Sequence, residues 1–320
     1  MTTRNKSRIS FSEANTLANC EWKWDYVYRQ GHDGDVTFAM LKGTVAHEVI
    51  AKWWESGDIF SALSLETVVE VVRYQESMGT EAILDWADWM MRRYAEYHED
   101  LRNSMDVVEH ELTLTAILPG TKIPVVGRID GVYANKTTGE LYAVERKTYG
   151  RRDRLDYLTV DPQVSLYYWL LQQNGYDITG VMYDGIYTYR WKPEKPTQKQ
   201  LIEDAKNGTP VEVDSPAADA PKKVWTEWAR EQVERHPGAE RPVADSFDVI
   251  WLDRTEGQVE QALLDLKGVV NRRAALRRKG ARPIRNIGQQ CNWCSARSAC
   301  HEALAFPQTI LLDTVEGYTE

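Results

Sequence analysis

The spacing of apolar positions changes period several times along the chain, and each change predicts an element. Over residues 9–30 (ISFSEANTLANCEWKWDYVYRQ) the spacing is helical, Ser10 or Ser12 can cap the first turn, and Gly31 to Gly34 reads as a loop. AMLKGTVAHEVIAKWWES, residues 39–56, predicts a second helix, with His47, Ile50 or Ala51, and Trp54 on one face and Gly57-Asp58 at its end. A third helical stretch, rich in Trp and Tyr, runs from Leu65 to about Leu101, and its aromatics read as core packing. Alternation replaces helical spacing at 106–118 (DVVEHELTLTAIL), which predicts a strand closed by Pro119-Gly120. Gly127 to Lys147 then reads as two strands joined by a turn at Thr137–Glu140. Asp161-Pro162 opens a helix that ends at Gly175, with Asp as cap and Pro at the first helical position. A strand is expected at 178–190, a short strand at 248–252 and a helix at 255–279. Residues 191–246, rich in Pro, Asp, Ala and Lys, read as an insertion or flap with a short helix near Val224–Glu234; the last residues read as a tail.

The chain has 320 residues with 42% hydrophobic content, enough for one large domain or a domain with an insertion. No apolar run is long enough to span a bilayer, and the first ten residues have no apolar segment of the signal-peptide type, so a cytoplasmic location is expected. The net charge of −9 gives no support for a purely electrostatic nucleic-acid binder, although a local basic groove fits within an acidic total. Three of the four cysteines, Cys291, Cys294 and Cys300, cluster, while Cys20 lies near the other end.

The hairpin carries the candidate chemistry. Side chains alternate along a strand, so Glu145 and Lys147 share one side and Arg146 faces the other. Asp130 on the first strand can meet that pair. Two carboxylates beside a lysine suit a divalent cation such as Mg²⁺ or Mn²⁺, and the Arg146 carbonyl adds a further oxygen. The same pattern also fits ordinary surface salt bridges. His47 is a further candidate ligand, or a structural histidine. Gln163 and Tyr167, four apart on one helix face, could contact a phosphate or orient the lysine. Cys20 with Cys291-x2-Cys294-x5-Cys300 suits an iron–sulfur cluster better than zinc, which favours two close pairs. Arg272, Arg273, Arg277, Arg278, Lys279, Arg282 and Arg285 form the strongest basic run, which fits either a solvated helix end or a phosphate-tracking patch.

In order, the chain presents S-x-S…C, Gly43-Thr44-x-x-His47, Gly127-Arg128-x-Asp130, Glu145-x-Lys147, Gln163-x3-Tyr167 and C-x2-C-x5-C. Over residues 10 to 302 this resembles the PD-(D/E)XK nucleases of the RecB type that carry an iron–sulfur cluster, a group including the AddB nuclease domain, the CRISPR-associated RecB-like adaptation exonuclease and phage exonucleases. The resemblance implies an α/β (mixed α+β) fold of restriction-endonuclease type, a mixed central sheet flanked by helices. It implies His47, Asp130 and Glu145 as metal ligands, Lys147 as the catalytic lysine and Gln163 and Tyr167 as auxiliary residues. The four cysteines match the ligands of a [4Fe–4S] cluster, in a subdomain built from residues 1–35 and 280–305. There are departures: Glu21 stands where many relatives have Pro after the first cysteine, residues 191–246 have no placed counterpart, and no Walker A motif is present.

The expected function is Mg²⁺- or Mn²⁺-dependent hydrolysis of DNA, exonucleolytic, in recombination, repair or phage or CRISPR DNA processing, with the host cytoplasm as its location if phage-encoded. DNA, recombination or CRISPR adaptation proteins and a second copy of the chain are the expected partners, with no membrane. The rival is a catalytically silent DNA-binding or assembly module with a structural metal–cysteine site.

Overall fold

The computed structural model describes residues 8–34, 38–64, 80–150, 155–189, 195–207, 215–236, 238–239, 241–278 and 280–305. Ser10 ends the two-residue strand β1 (Ile9–Ser10) and caps α1 (Phe11–Asn19), its hydroxyl accepting the Glu13 N–H at 3.1 Å. The single helix expected over 9–30 is broken at Cys20, whose backbone is extended (φ −161°, ψ 107°). The chain resumes as α2 (Glu21–Trp24) and one π-helical turn, Asp25–Arg29. The helices α3 (Phe38–Ser56), α4 (Ile59–Ala62) and α5 (Thr80–Ser104) follow. The start of the third predicted helix, 65–79, lies outside the described residues.

Next come β2 (Met105–Ile117), β3 (Pro124–Asn135) and β4 (Leu141–Tyr149), then α6 (Pro162–Gln173) and β5 (Ile178–Tyr187). Within 191–246 lie α7 (Gln198–Lys206), which the composition did not signal, and α8 (Lys222–Arg235), which matches the expected helix. Thr197 and Gln200 close a capping box on α7. The strand β6 (Phe247–Leu252) and helices α9 (Glu256–Leu276) and α10 (Arg297–Ala305) complete the described elements.

The strands form a six-stranded mixed sheet in the order β1-β3-β4-β5-β6, with β2 also paired to β3. The β1–β3 and β4–β5 pairs are parallel; the β2–β3, β3–β4 and β5–β6 pairs are antiparallel. Helices cover both faces. On one, Ile129, Val132, Ala143, Val181 and Tyr183 pack with Val164, Leu166 and Leu170 of α6 and Leu266 of α9. On the other, Tyr133, Val144, Met182 and Ile186 pack with Val45, Val49 and Trp53 of α3 and Met90 and Tyr94 of α5. Alternation along β4 therefore sends Ala143, Glu145 and Lys147 toward α6, and Val144 and Arg146 toward α3 and α5.

Candidate active site

Glu145 lies at the centre of β4 and is 2% exposed. Its Oε1 accepts a hydrogen bond from Gln163 Nε2 at 2.7 Å and pairs with the Lys147 ammonium. The Gln163 amide spends its other N–H on the Tyr167 hydroxyl, 2.7 Å away, and Tyr167 donates to the Arg128 carbonyl at 2.9 Å. This relay ties β4 to β3 two residues before Asp130. Asp130 is held at both oxygens: Oδ1 lies 3.2 Å from His47 Nδ1, and Oδ2 accepts the Arg146 backbone N–H at 2.7 Å.

Burial sets the charges here. It pushes the Glu145 carboxyl up to about 7; the Lys147 ammonium opposes the rise and the Asp130 charge adds to it. Burial pulls Lys147 down, but its contact with Glu145 more than compensates and leaves it raised. One ion pair thus has two outcomes, because the Lys147 side chain is 39% exposed and that of Glu145 only 3%. For Asp130, burial is outweighed by His47 and Arg146, so its carboxyl sits below the usual range.

Two glycines explain how the helices come close enough. A Cβ on Gly43 would lie 3.1 Å from Thr148 Oγ1, so a bare backbone lets α3 approach β4 one turn before His47. A Cβ on Gly127 would lie 2.5 Å from Leu170 Cδ1 and 3.5 Å from Tyr167 Cε1; its absence lets α6 settle on β3. At the start of α6, Asp161 caps the helix by accepting the Gln163 N–H at 2.8 Å, which fixes where Gln163 enters the site.

Among the described residues, no group of three or more His, Cys, Asp or Glu side chains closes into metal-holding geometry. The donor set nonetheless suits a hard cation. Mg²⁺ is commonly held by one or two carboxylates and keeps several waters. A buried carboxylate whose proton affinity burial has raised gains most from a nearby cation.

The sequence matches the model of the PD-(D/E)XK nuclease superfamily over residues 8–301. The chain belongs to that superfamily. A search of curated proteins finds no match. Among solved structures, a candidate exonuclease from Eubacterium rectale aligns over 90% of this chain and 88% of its own at 13% identity, with a TM-score of 0.51. That likeness speaks to the fold. The structure of SSO0001 aligns over 93% of this chain and 87% of its own at 12% identity and a TM-score of 0.40, too low to argue from. Superfamily members typically use Mg²⁺ or Mn²⁺ and act on DNA, and a mixed sheet flanked by helices is the architecture expected of the restriction-endonuclease-like fold.

The other sequence-derived residues are dispersed. Arg146 presents its backbone N–H to the site, while its side chain, 1% exposed, enters the opposite core. Arg272 makes a bidentate pair with Glu21 at 2.6 and 2.8 Å, and Glu21 also accepts the Ile284 N–H at 2.9 Å. The residue that departs from the resemblance thus clasps α2 to α9 and to the approach to the cysteine trio. Arg273 is buried, donating to the Arg8 carbonyl at 2.7 Å and lying 3.3 Å from Glu13. Arg277 and Arg278 are exposed, and Lys279 lies outside the described residues.

None of the four cysteines is in a disulfide. Cys20 and Asn286 line one cavity of about 340 Å³, Cys291 Sγ lies 4.0 Å from the Asn286 carbonyl, and Gly34 abuts Ser295. The segments bearing the cysteines therefore meet, although the thiols do not form a closed set.

Sequence reasoning missed a buried polar group behind the site. Asp184 on β5 and His98 on α5 are both 0% exposed. Asp184 Oδ2 accepts from the Tyr94 hydroxyl at 2.5 Å and lies 3.7 Å from Arg146 Nε, while Oδ1 faces His98 Nε2 at 3.1 Å. Arg146 also donates to the Tyr133 hydroxyl. An aspartate inside the otherwise apolar run VMYDGIY was the available signal.

Proposed function

We propose that the chain is a metal-dependent deoxyribonuclease acting on DNA ends, with Asp130, Glu145 and His47 holding Mg²⁺ or Mn²⁺ and Lys147 as the catalytic cation. The observation that carries this reading is the junction of Asp130, Glu145 and Lys147 with His47 from α3 and Gln163 and Tyr167 from α6. The cation, when bound, would polarise the scissile phosphate and acidify a coordinated water. Lys147 is the partly exposed cation of the site, and it stabilises charge developing on the phosphate or orients the attacking water. Gln163 holds the Glu145 carboxylate, and Tyr167, kept protonated chiefly by burial, holds Gln163. Arg146 contributes its backbone at Asp130, where its N–H fixes the carboxylate; its carbonyl is the further oxygen considered for the metal. Arg277 and Arg278, exposed at the end of α9, are the members of the basic run that would meet DNA phosphates, and Arg272 and Arg273 hold α9.

The finer reading is a RecB-type iron–sulfur exonuclease, with Cys20, Cys291, Cys294 and Cys300 as ligands of a [4Fe–4S] cluster joining residues 1–35 to 280–305, and with 191–246 as an insertion in a single nuclease domain. Four cysteines outside any disulfide, on segments that meet, support it. The expected setting is cytoplasmic recombination, repair or phage or CRISPR DNA processing.

The test is digestion of 5′- and 3′-labelled DNA by anaerobically purified protein with Mg²⁺ or Mn²⁺. Lys147→Ala and Glu145→Ala should each lose about 10²–10³-fold in rate; wild-type activity in both would sink the assignment. Iron and sulfide analysis of the same preparation tests the cluster, and a colourless, zinc-loaded protein would overturn it.

A further inference from the structure

On β4, Glu145, Lys147 and Tyr149 follow one another on the same face. Tyr183 of the parallel neighbour β5 is in register with Glu145, and Tyr187 with Tyr149. Paired residues of parallel strands point to the same face, so Tyr183 stands beside Glu145; burial raises the Tyr183 phenol, and the Glu145 charge raises it further. The Tyr149 hydroxyl meets that of Tyr183 and lies 3.4 Å from that of Tyr157. Three phenols thus run from the catalytic carboxylate to the surface.

The line ends in the 3₁₀ turn Asp156–Val160, which leads directly into the Asp161 cap of α6 and so into Gln163. In a 3₁₀ turn, residues three apart eclipse one another. Tyr157 and Val160 therefore share a face, and they are 49% and 72% exposed, while Leu158 between them is buried at 1%. The turn is anchored by Leu158, and the Arg254 guanidinium donates to the Leu158 carbonyl. An anchored turn that presents an aromatic ring and a branched aliphatic side chain beside a phosphate-cleaving centre fits a flat apolar ligand with a charged backbone.

We propose that Tyr157 and Val160 form a shelf on which one unpaired DNA base stacks, next to the phosphate held at Glu145 and Lys147. The inference rests on the nuclease reading, and it adds a binding subsite to it. Stacking on aromatic side chains is tolerant of sequence, so the shelf selects for a strand whose bases are splayed rather than for a sequence. A base-paired strand cannot offer a base face to Tyr157 without unstacking.

The experiment measures binding of a fluorescein-labelled single-stranded oligonucleotide by anisotropy, with Ca²⁺ replacing Mg²⁺ to suppress turnover. Tyr157→Ala should weaken binding about 5- to 150-fold, the loss of one base stack, and Tyr157→Phe should bind like wild type. A single abasic residue moved along the oligonucleotide should weaken wild type by a similar factor at one position, and should leave Tyr157→Ala unaffected at that position. A merely structural role would not show that non-additivity. Equal binding by wild type and Tyr157→Ala, or abasic and Ala penalties that simply add, would overturn the shelf. If wild type cleaves in Mg²⁺ or Mn²⁺ but the coupling is absent, the shelf alone fails. If the coupling is present and no cleavage occurs, the shelf stands and the nuclease reading fails.

Discussion

Replacing Asp184 by Asn tests whether β4, which bears the proposed catalytic residues, rests on a buried charge pair. Asp184 and Arg146 are 0% and 1% exposed, so neither charge can turn to water. Asn keeps the volume and can still accept from the Tyr94 hydroxyl, which leaves the missing charge as the main change. Removing one partner of a buried pair costs about 3–5 kcal/mol, because the other charge stays buried and uncompensated. Arg146→Met should cost less, about 1–3 kcal/mol, because the Asp184 carboxylate retains Tyr94 and His98. The double variant should be more stable than Asp184→Asn alone, since the stranded guanidinium is gone. Urea unfolding with unchanged slope gives these differences directly. The pH dependence follows from the same geometry. Burial pushes the Asp184 carboxyl up, but His98 and Arg146 more than reverse this and hold it below its ordinary value. Its contribution is therefore present at neutral pH and is lost as pH falls through the depressed value, so wild type and Asp184→Asn should converge in acid. An Asp184→Asn variant within about 1 kcal/mol of wild type at pH 7, or strictly additive single-variant losses, would refute the reasoning.

Glu145 titrates in the opposite sense. Its carboxyl is raised from 4.5 to about 7, so the unfolded chain binds fewer protons between those values and stability falls as pH rises, by at most about 3 kcal/mol. In EDTA the wild-type melting temperature should drop relative to Glu145→Gln from pH 5 to 8, and Mn²⁺ should restore it; parallel pH curves would contradict this. Gly127→Ala places a methyl group against Leu170 and Tyr167 and should cost about 1–3 kcal/mol by urea unfolding, with slower cleavage as Tyr167 is displaced. Glu21→Ala removes the bidentate Arg272 pair and the acceptor of the Ile284 N–H, and should cost about 1 kcal/mol and speed the reaction of Cys20 with a thiol reagent.

The elements that proved readable were those whose signals are local. The Asp161-Pro162 cap, the alternation of 106–118 and the turn after Asn135 each depend on a few neighbouring residues, and α6, β2 and the β3–β4 hairpin stand where those residues place them. The break at Cys20 was not readable, because helical spacing continues through it and the extended backbone there follows from contacts with distant chain: Trp22 N–H donates to the Ile284 carbonyl at 3.1 Å. In the site, alternation separated Glu145 and Lys147 from Arg146. The roles of Arg272 and Arg273 were hidden, because their carboxylate partners, Glu21 and Glu13, lie some 250 residues away in sequence. Sequence separation also hid the Asp184 network: Tyr94 and His98 on α5 stand 90 and 86 residues before Asp184, and its other members, Tyr133 and Arg146, come from β3 and β4.

These features converge on β4, whose two faces do different work. One face presents Glu145, Lys147 and Tyr149 to α6 and solvent. The other sends Arg146 into a core where Tyr133 and Asp184 hold it. The strand between them carries the N–H that fixes Asp130. A metal-binding carboxylate must be oriented without losing its open lone pairs, and a backbone N–H does so at the cost of one acceptor site. That N–H is only as well placed as the strand that bears it. A residue anchored by its charge on the far side therefore supports the proposed metal-holding face on the near side, and position 146 acts there through its main chain as much as through its side chain.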